Sequence, residues 1–330
     1  MKNNLLLLVL LMSGWSVAEM QKNEKIYVAG HRGLVGSAIM RQLELQGYTN
    51  IITRTHHELD LCNQEAVDQF FAQEKPDYVF LAAARVGGIL ANMNAPADFL
   101  YDNLAIQLNV IHAAYTHEVR KLLFLGSSCI YPRNCPQPIK EEYLLTSELE
   151  KSNEGYAIAK IAGLKLCEFY NKQHGAQFIS CMPTNLYGPH DNFDLQTSHV
   201  LPALIRKVYT AKKNNEPSVT IWGTGTVYRE FLHVDDLAVG CIFLMNHYTG
   251  SQPINIGTGQ DITIADLARM IKDIIKFEGK LMFDTSKPDG TPRKLLDISR
   301  MHNLGWHAQI SLDQGIKNTF DWCMQQHIFD

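Results

Sequence analysis

The chain has 330 residues, 46% of them hydrophobic, which is enough for one large core or two modest ones. Its formal net charge of -4, with no basic block beyond Lys212-Lys213, argues against nucleic acid as a partner. Seven cysteines, an odd number without CxxC spacing, argue against a disulfide framework and against a metal site of the zinc type.

The first 24 residues stand apart. Lys2 precedes an apolar run from Leu5 to Met12, and Ser16-Val17-Ala18 follows with small residues at both ends; the pattern resembles a secretory signal. The run is too short to span a bilayer, so no membrane association is expected. Met20, ten residues before Gly30, offers another reading, an initiator placed just ahead of the globular chain. Residues 1–24 are therefore read as a leader, signal-like or a misassigned start.

Lys25-Ile26-Tyr27-Val28-Ala29 reads as a short buried strand, followed by Gly30-His31-Arg32-Gly33-Leu34-Val35-Gly36. Val35, Ala38, Ile39 and Leu43 then recur at helical spacing, so a helix begins near Leu34. Strand, glycine turn and helix make a dinucleotide-binding unit: glycines admit the pyrophosphate to the backbone, and the helix N-terminus stabilises its charge. The second strand, Asn50–Arg54, ends without the carboxylate that a ribose 2′-hydroxyl calls for. Arg32 and Arg54 suit a 2′-phosphate instead, so the expected cofactor is NADP(H).

Further strands are expected at Asp77–Leu81, Lys121–Leu125 and Phe178–Met182, ending in Ala82-Ala83-Ala84, Gly126-Ser127-Ser128-Cys129 and Pro183-Thr184-Asn185. Pro96–His117 and Tyr156–His174 read as helices. This alternation gives an α/β fold, a doubly wound parallel sheet that binds ligands beyond its strand ends. Gly87-Gly88 and the small Ala82–Ala84 segment would let a flat nicotinamide approach the backbone.

Tyr156 and Lys160, four residues apart, share one helix face. A cation beside a phenol favours the phenolate, so a group of pKa ~10 acts nearer neutrality. Tyr209 and Lys213 repeat the spacing, but no strand end lies near them. Cys129, two residues past Ser127, adds an acid or base that simple carbonyl reduction does not need.

After Asn185 the pattern loosens into a smaller, loop-rich C-terminal α/β domain that closes over a substrate. The expected division is 25–185 for cofactor and 186–330 for substrate, with about 228–250 returning to the first domain. Trp222 offers a face for a base or sugar, and Arg229 and Lys294 offer charge for a diphosphate.

These segments closely resemble the GDP-L-fucose synthases, a group of extended short-chain dehydrogenases/reductases. The likeness runs from about Lys25 to the end. It rests on Gly30–Gly33, Ala82–Gly88, Gly126–Pro132, Tyr156–Lys160, Met182–Phe193, Arg229–Asp236 and Lys287–Lys294. The resemblance implies a Rossmann-type fold, a homodimer, and a nucleotide-sugar substrate. That substrate would be GDP-4-dehydro-6-deoxy-D-mannose, epimerised at C3 and C5 and reduced at C4 by NADPH. It implies Cys129 and His199 as epimerisation base and acid, and Ser127, Tyr156 and Lys160 as the reduction triad. It extends the cofactor contacts to His56, Asp60 and Leu61, to Leu125, Gly126 and Ser128, to Pro183–Leu186 (Pro183, Thr184, Asn185, Leu186), and to Lys160 and His199. Substrate contacts would come from Lys207, Trp222, Arg229, Asp289 and Lys294. Lys207 and His56 stand where the group often has arginine. A need for NADPH and reduced thiols favours a cytoplasmic location over export. The competing readings are a nucleotide-sugar 4,6-dehydratase or 4-epimerase, and a non-catalytic NADP-binding sensor.

Overall fold

The computed structural model describes residues 19–287 and 289–330; the signal-like segment read from Lys2 to Ala18 lies outside them. In the first half β1 (Ile26–Ala29) leads to α1 (Leu34–Leu45), and β2 (Ile51–Ile52) leads to α2 (Gln64–Glu74). Then come β3 (Tyr78–Leu81), α3 (Ile89–Asn94), α4 (Pro96–Thr116), β4 (Lys121–Leu125), α5 (Glu154–His174) and β5 (Phe178–Pro183). The second half holds β6 (Asn185–Tyr187), α6 (Val200–Lys213), β7 (Ser218–Trp222), β8 (Tyr228–His233), α7 (Val234–His247) and β9 (Ile254–Ile256). It closes with β10 (Asp261–Thr263), α8 (Ile264–Ile275), β11 (Lys280–Asp284), β12 (Arg293–Lys294), α9 (Ser299–Asn303) and α10 (Leu312–Gln325).

Six of these strands form one parallel sheet in the order β2-β1-β3-β4-β5-β9. The chain reverses its direction of travel across the sheet between β1 and β3, where such sheets place their ligand crevice. Side chains of β1 alternate between the faces: Ile26 and Val28 pack toward α1 and α7, Tyr27 and Ala29 toward α2, α4 and α5. Phe71 of α2 is fully buried edge-on to Tyr27, ring centroids 5.9 Å apart. Burying a side chain of that size contributes about 1.5–3 kcal/mol. Met20 is buried on the opposite face, and its N–H donates to Asn246 Oδ1 at 3.0 Å.

A smaller sheet stands beside the first: β8 pairs antiparallel with β10 and parallel with β12 and β6. β7 and β11 form a parallel pair. α6, α8 and α10 bury their apolar faces around these strands, with Tyr209 packed at that cluster's edge. Among the described residues no helix is long and apolar enough to cross a membrane.

α4 and α5 approach closely because small residues face one another. A Cβ on Gly163 would meet Gln107 Oε1 of α4 at 2.7 Å, and one on Gly155 would meet the Pro96 carbonyl oxygen at 2.8 Å. The Gln107 amide donates to the Ala159 carbonyl oxygen across the pair. α5 has Glu154 in its first turn, Lys172 and His174 in its last, and Gly175 at φ 70° as its left-handed stop. This seat fixes the helix that carries Tyr156 and Lys160.

Candidate active site

The glycine turn after β1 is packed as a cradle. Gly30 sits at φ +84°, and a Cβ there would meet the Ala83 backbone nitrogen at 2.7 Å; one on Gly36 would meet the Gly30 carbonyl oxygen at 2.1 Å. Leu34, Val35 and Gly36 form the first turn of α1, after Gly33. His31 Nδ1 is buried without a hydrogen-bond partner, an orphaned polar atom inside the loop. Arg32 is exposed, and no carboxylate lies within 4.0 Å of it among the described residues. A dinucleotide pyrophosphate fits this cradle, and a 2′-phosphate fits Arg32.

Arg54 differs from expectation. β2 is two residues long, so Arg54 lies past its end and turns onto α2, ion-paired with Glu74 and stacked on Phe70 at 5.1 Å. His56 and Asp60 are exposed and face each other at 3.8 Å, while Leu61 is buried. A carboxylate also stands nearby, beyond the strand end. Glu58 Oε2 accepts the Thr55 N–H at 2.7 Å and its hydroxyl at 2.8 Å.

At the end of β4, Leu125 and Gly126 lead into Ser127, whose hydroxyl accepts the Cys129 N–H at 3.2 Å; Ser128 is buried. Lys160 is buried and its Nζ donates to the Leu125 carbonyl oxygen at 2.7 Å, 5.8 Å from the centroid of the Tyr156 ring. Burial holds that ammonium down at about 8. The expected lowering of the Tyr156 phenol is corrected here. Burial drives it well above its ordinary value, the Cys129 sulfur adds to the rise, and Ser127 opposes it. The physical reason is that desolvation dominates and the Lys160 charge is directed at a carbonyl.

Cys129 behaves in the opposite way. Burial alone would raise its thiol, but the Lys294 ammonium and hydrogen bonds with Ser127, Lys294 and Asn153 outweigh burial and hold it below its ordinary value. Lys294 Nζ lies 3.5 Å from Cys129 Sγ. His199 precedes α6, and its side chain makes no capping bond. The imidazole is open to solvent yet closely surrounded, and burial with the Lys294 charge lowers its pKa.

Gly88 packs against the second half of the chain. Gly88 N–H donates to the Thr197 carbonyl oxygen at 2.9 Å, and a Cβ on Gly88 would meet Ser198 O at 2.6 Å. The glycine holds the loop that carries His199. Thr184 is buried, and its hydroxyl and the Asn185 amide both donate to the Glu230 carbonyl oxygen. Pro183 ends β5, and Leu186 continues β6.

In the smaller half, Arg229 donates to the carbonyl oxygens of Tyr228 at 2.7 Å and Asp289 at 3.2 Å. Asp235, six residues on, pairs with Arg41 at 2.5 Å. Asp289 is turned inward: its carboxylate accepts the Thr224 N–H and hydroxyl and fixes that turn. Trp222 is 43% exposed and flanked by Lys207 at 5.0 Å and Lys287 at 5.6 Å from one ring. An exposed indole between two ammonium groups suits an anionic ligand with a flat base. A cavity of about 870 Å³ runs past Asn153, Tyr156, Asp289 and Gly290. Asn153 Oδ1 is buried without a partner at its edge. No sequence signal marks Asn153.

A dinucleotide cradle, a phenol and a thiol meeting at the strand ends define an enzyme that moves protons beside a nicotinamide. The chain belongs to the NAD dependent epimerase/dehydratase family, whose profile matches residues 26–257. It is 60% identical over 304 residues to GDP-L-fucose synthase 1 of Arabidopsis thaliana, covering 92% of this chain and 94% of that one. It is 53% identical over 311 residues to GDP-L-fucose synthase of Escherichia coli K12, covering 92% and 97%. Among solved structures, the GDP-mannoheptose C4 reductase MlghC of Campylobacter jejuni with NADP bound superposes with a TM-score of 0.86 at 44% identity, over 92% of this chain and 99% of that one.

Proposed function

We propose that this chain is a bifunctional 3,5-epimerase and NADPH-dependent 4-reductase that converts GDP-4-dehydro-6-deoxy-D-mannose to GDP-L-fucose. The observation that carries this reading is the Cys129 thiol, two residues past Ser127 and with Lys294 Nζ 3.5 Å from its sulfur, in the same site as the Tyr156 phenol. A reductase alone has no use for a second tuned base.

The C4 carbonyl of such a sugar acidifies the hydrogens on C3 and C5. Cys129 as thiolate takes one of them and becomes the thiol, leaving an enolate whose oxygen Tyr156 and Ser127 hydrogen-bond. His199 returns a proton on the opposite face. Its lowered pKa makes the imidazolium, though scarce, a strong donor. Each positioned acid or base contributes about 10²–10⁴-fold. For the second step, NADPH supplies hydride to C4 when bound at the glycine cradle. Tyr156 then gives its proton to the C4 alkoxide, and its raised pKa keeps that proton in place until needed. Lys207, Lys287 and Arg229 would hold the diphosphate and Trp222 the base.

A homodimer fits the outer faces of α4 and α5. Tyr101 and Leu108 on one helix and Ile158 and Phe169 on the other are exposed apolar residues on a packed pair. We infer a cytosolic location, in keeping with seven free cysteines and a need for NADPH.

The similarity to a C4 reductase keeps a second reading in view, reduction without epimerisation. Incubation with the keto sugar and NADPH, with product identified by NMR, separates them. GDP-L-fucose formed with one NADPH oxidised per product supports the proposal. A C4-reduced sugar with C3 and C5 unchanged supports the reductase alone, and turnover without oxidation rejects both.

A further inference from the structure

We infer that Lys294 is the residue that keeps Cys129 as a thiolate, acting as a positioning residue on the base rather than as a ligand for the substrate's diphosphate. The chemistry it serves rests on the epimerase reading above; the charge relationship does not.

Lys294 comes to Cys129 from 165 residues away. Its backbone is pinned on both sides. Lys294 pairs with Arg229 in the β12–β8 ladder, the Leu295 N–H donates to Gln137 Oε1 at 2.9 Å, and the Leu296 N–H donates to Glu230 Oε2 at 2.9 Å. From that fixed base the side chain reaches Cys129 Sγ at 3.5 Å. Among the described residues no carboxylate lies within 4.0 Å of its ammonium, and the sulfur is its one side-chain hydrogen-bond partner. A cation at this distance stabilises the sulfur anion relative to the thiol. The thiol proton leaves to water.

The other groups around the sulfur fit the same charge pattern. Arg229 from β8 is a second cation, its pKa lowered by burial with the Cys129 sulfur opposing that. Ser127 and Asn153 provide hydrogen bonds. Tyr156 from α5 is kept protonated chiefly by burial, and the Cys129 sulfur adds to that. His199, ahead of α6, has its pKa lowered by its close surroundings and by the same Lys294 charge. One lysine thus acts on both the base and the imidazole.

The test is the pH dependence of Cys129 alkylation by iodoacetamide in the full-length protein. It is read by mass spectrometry of the Cys129 peptide, for wild type, Lys294→Met and Lys294→Arg. The expected result is a midpoint about one pH unit or more higher in Lys294→Met and restored in Lys294→Arg. An unmoved midpoint in a folded Lys294→Met, judged by circular dichroism and NADPH binding, overturns the inference. If Lys294→Met does not fold, Lys294→Gln takes its place under the same criterion. A second reading uses the keto sugar: loss of kcat for C3 and C5 exchange at unchanged KM supports the inference, and a rise in KM alone assigns Lys294 to the diphosphate. A shifted midpoint in a protein whose wild type exchanges nothing would sink the epimerase reading and leave the lysine–thiolate pair standing.

Discussion

The Gly88 N–H donates to the Thr197 carbonyl oxygen at 2.9 Å, so a glycine of the first half holds the loop that presents His199 from the second. A Cβ there would meet the Ser198 carbonyl oxygen at 2.6 Å, and backbone on both sides leaves no flexible atom to yield. Gly88→Ala should therefore displace His199. A shift near 1 Å at a reacting group lowers rates by roughly 10²-fold. The expected outcome is slowed deuterium exchange at C3 and C5, measured by NMR, with reduction of an already epimerised sugar less affected.

Arg32 and Arg54 could both pair with a 2′-phosphate by sequence, but of the two only Arg32 lies free of a carboxylate among the described residues. A hydrogen bond to a charged group contributes about 1.5–3 kcal/mol, or roughly 10–100-fold in affinity. Arg32→Ala should weaken NADPH binding by that factor while leaving NADH binding nearly unchanged. Arg54→Ala should affect NADPH binding less and lower stability through the loss of its Glu74 pair. Fluorescence titration with both cofactors and thermal melts separate the two.

Lys160 carries a stability penalty that its function requires. Its folded pKa is held at about 8, below the ordinary lysine value, so between about pH 8 and 10.5 the unfolded chain binds more protons. Stability from this group therefore rises with pH across that window, and the penalty is largest below pH 8. Lys160→Met should remove the penalty, partly offset by the unpaired Leu125 carbonyl oxygen. The expected gain at pH 7 is on the order of 1–2 kcal/mol, shrinking above pH 8, with reductase activity falling by about 10²-fold or more. Denaturant melts at several pH values check the sign.

Much of this fold could be read from the chain because β1, β3, β4 and β5 are continuous apolar runs between turn residues. Those strands were expected within a residue or two of where they lie. β2 was expected over Asn50–Arg54 and is only Ile51–Ile52, since Arg54 is drawn to Glu74 on α2. The site was legible where chemistry-bearing residues share a strand end or a helix face, as with Ser127, Cys129, Tyr156 and Lys160. Contacts across the chain were not. Nothing in the spacing places Lys294 on Cys129, Gly88 under Ser198 or Asn153 beside the thiol. β12 is two residues long and owes its position to β8 more than to its own composition.

Glu230 shows how that position is held. It is fully buried, accepting the N–H groups of Thr258 at 2.6 Å, Gly259 at 2.8 Å and Leu296 at 2.9 Å. Glu230→Gln keeps the volume but turns an amide donor toward one of those donors. Leaving a buried group unsatisfied costs about 1–3 kcal/mol. A lower melting temperature is expected, together with slower C3 and C5 exchange as β12 loosens and Lys294 leaves Cys129.

The division of labour between sulfur and phenol is tested most directly by Cys129→Ser incubated with the keto sugar and NADPH in deuterated water. Hydroxyl for thiol should abolish deuterium incorporation at C3 and C5 while NADPH is still oxidised and C4 still reduced, giving a sugar of unchanged C3 and C5 configuration. Normal deuterium incorporation in that variant would show that another group removes these protons and would contradict the assignment.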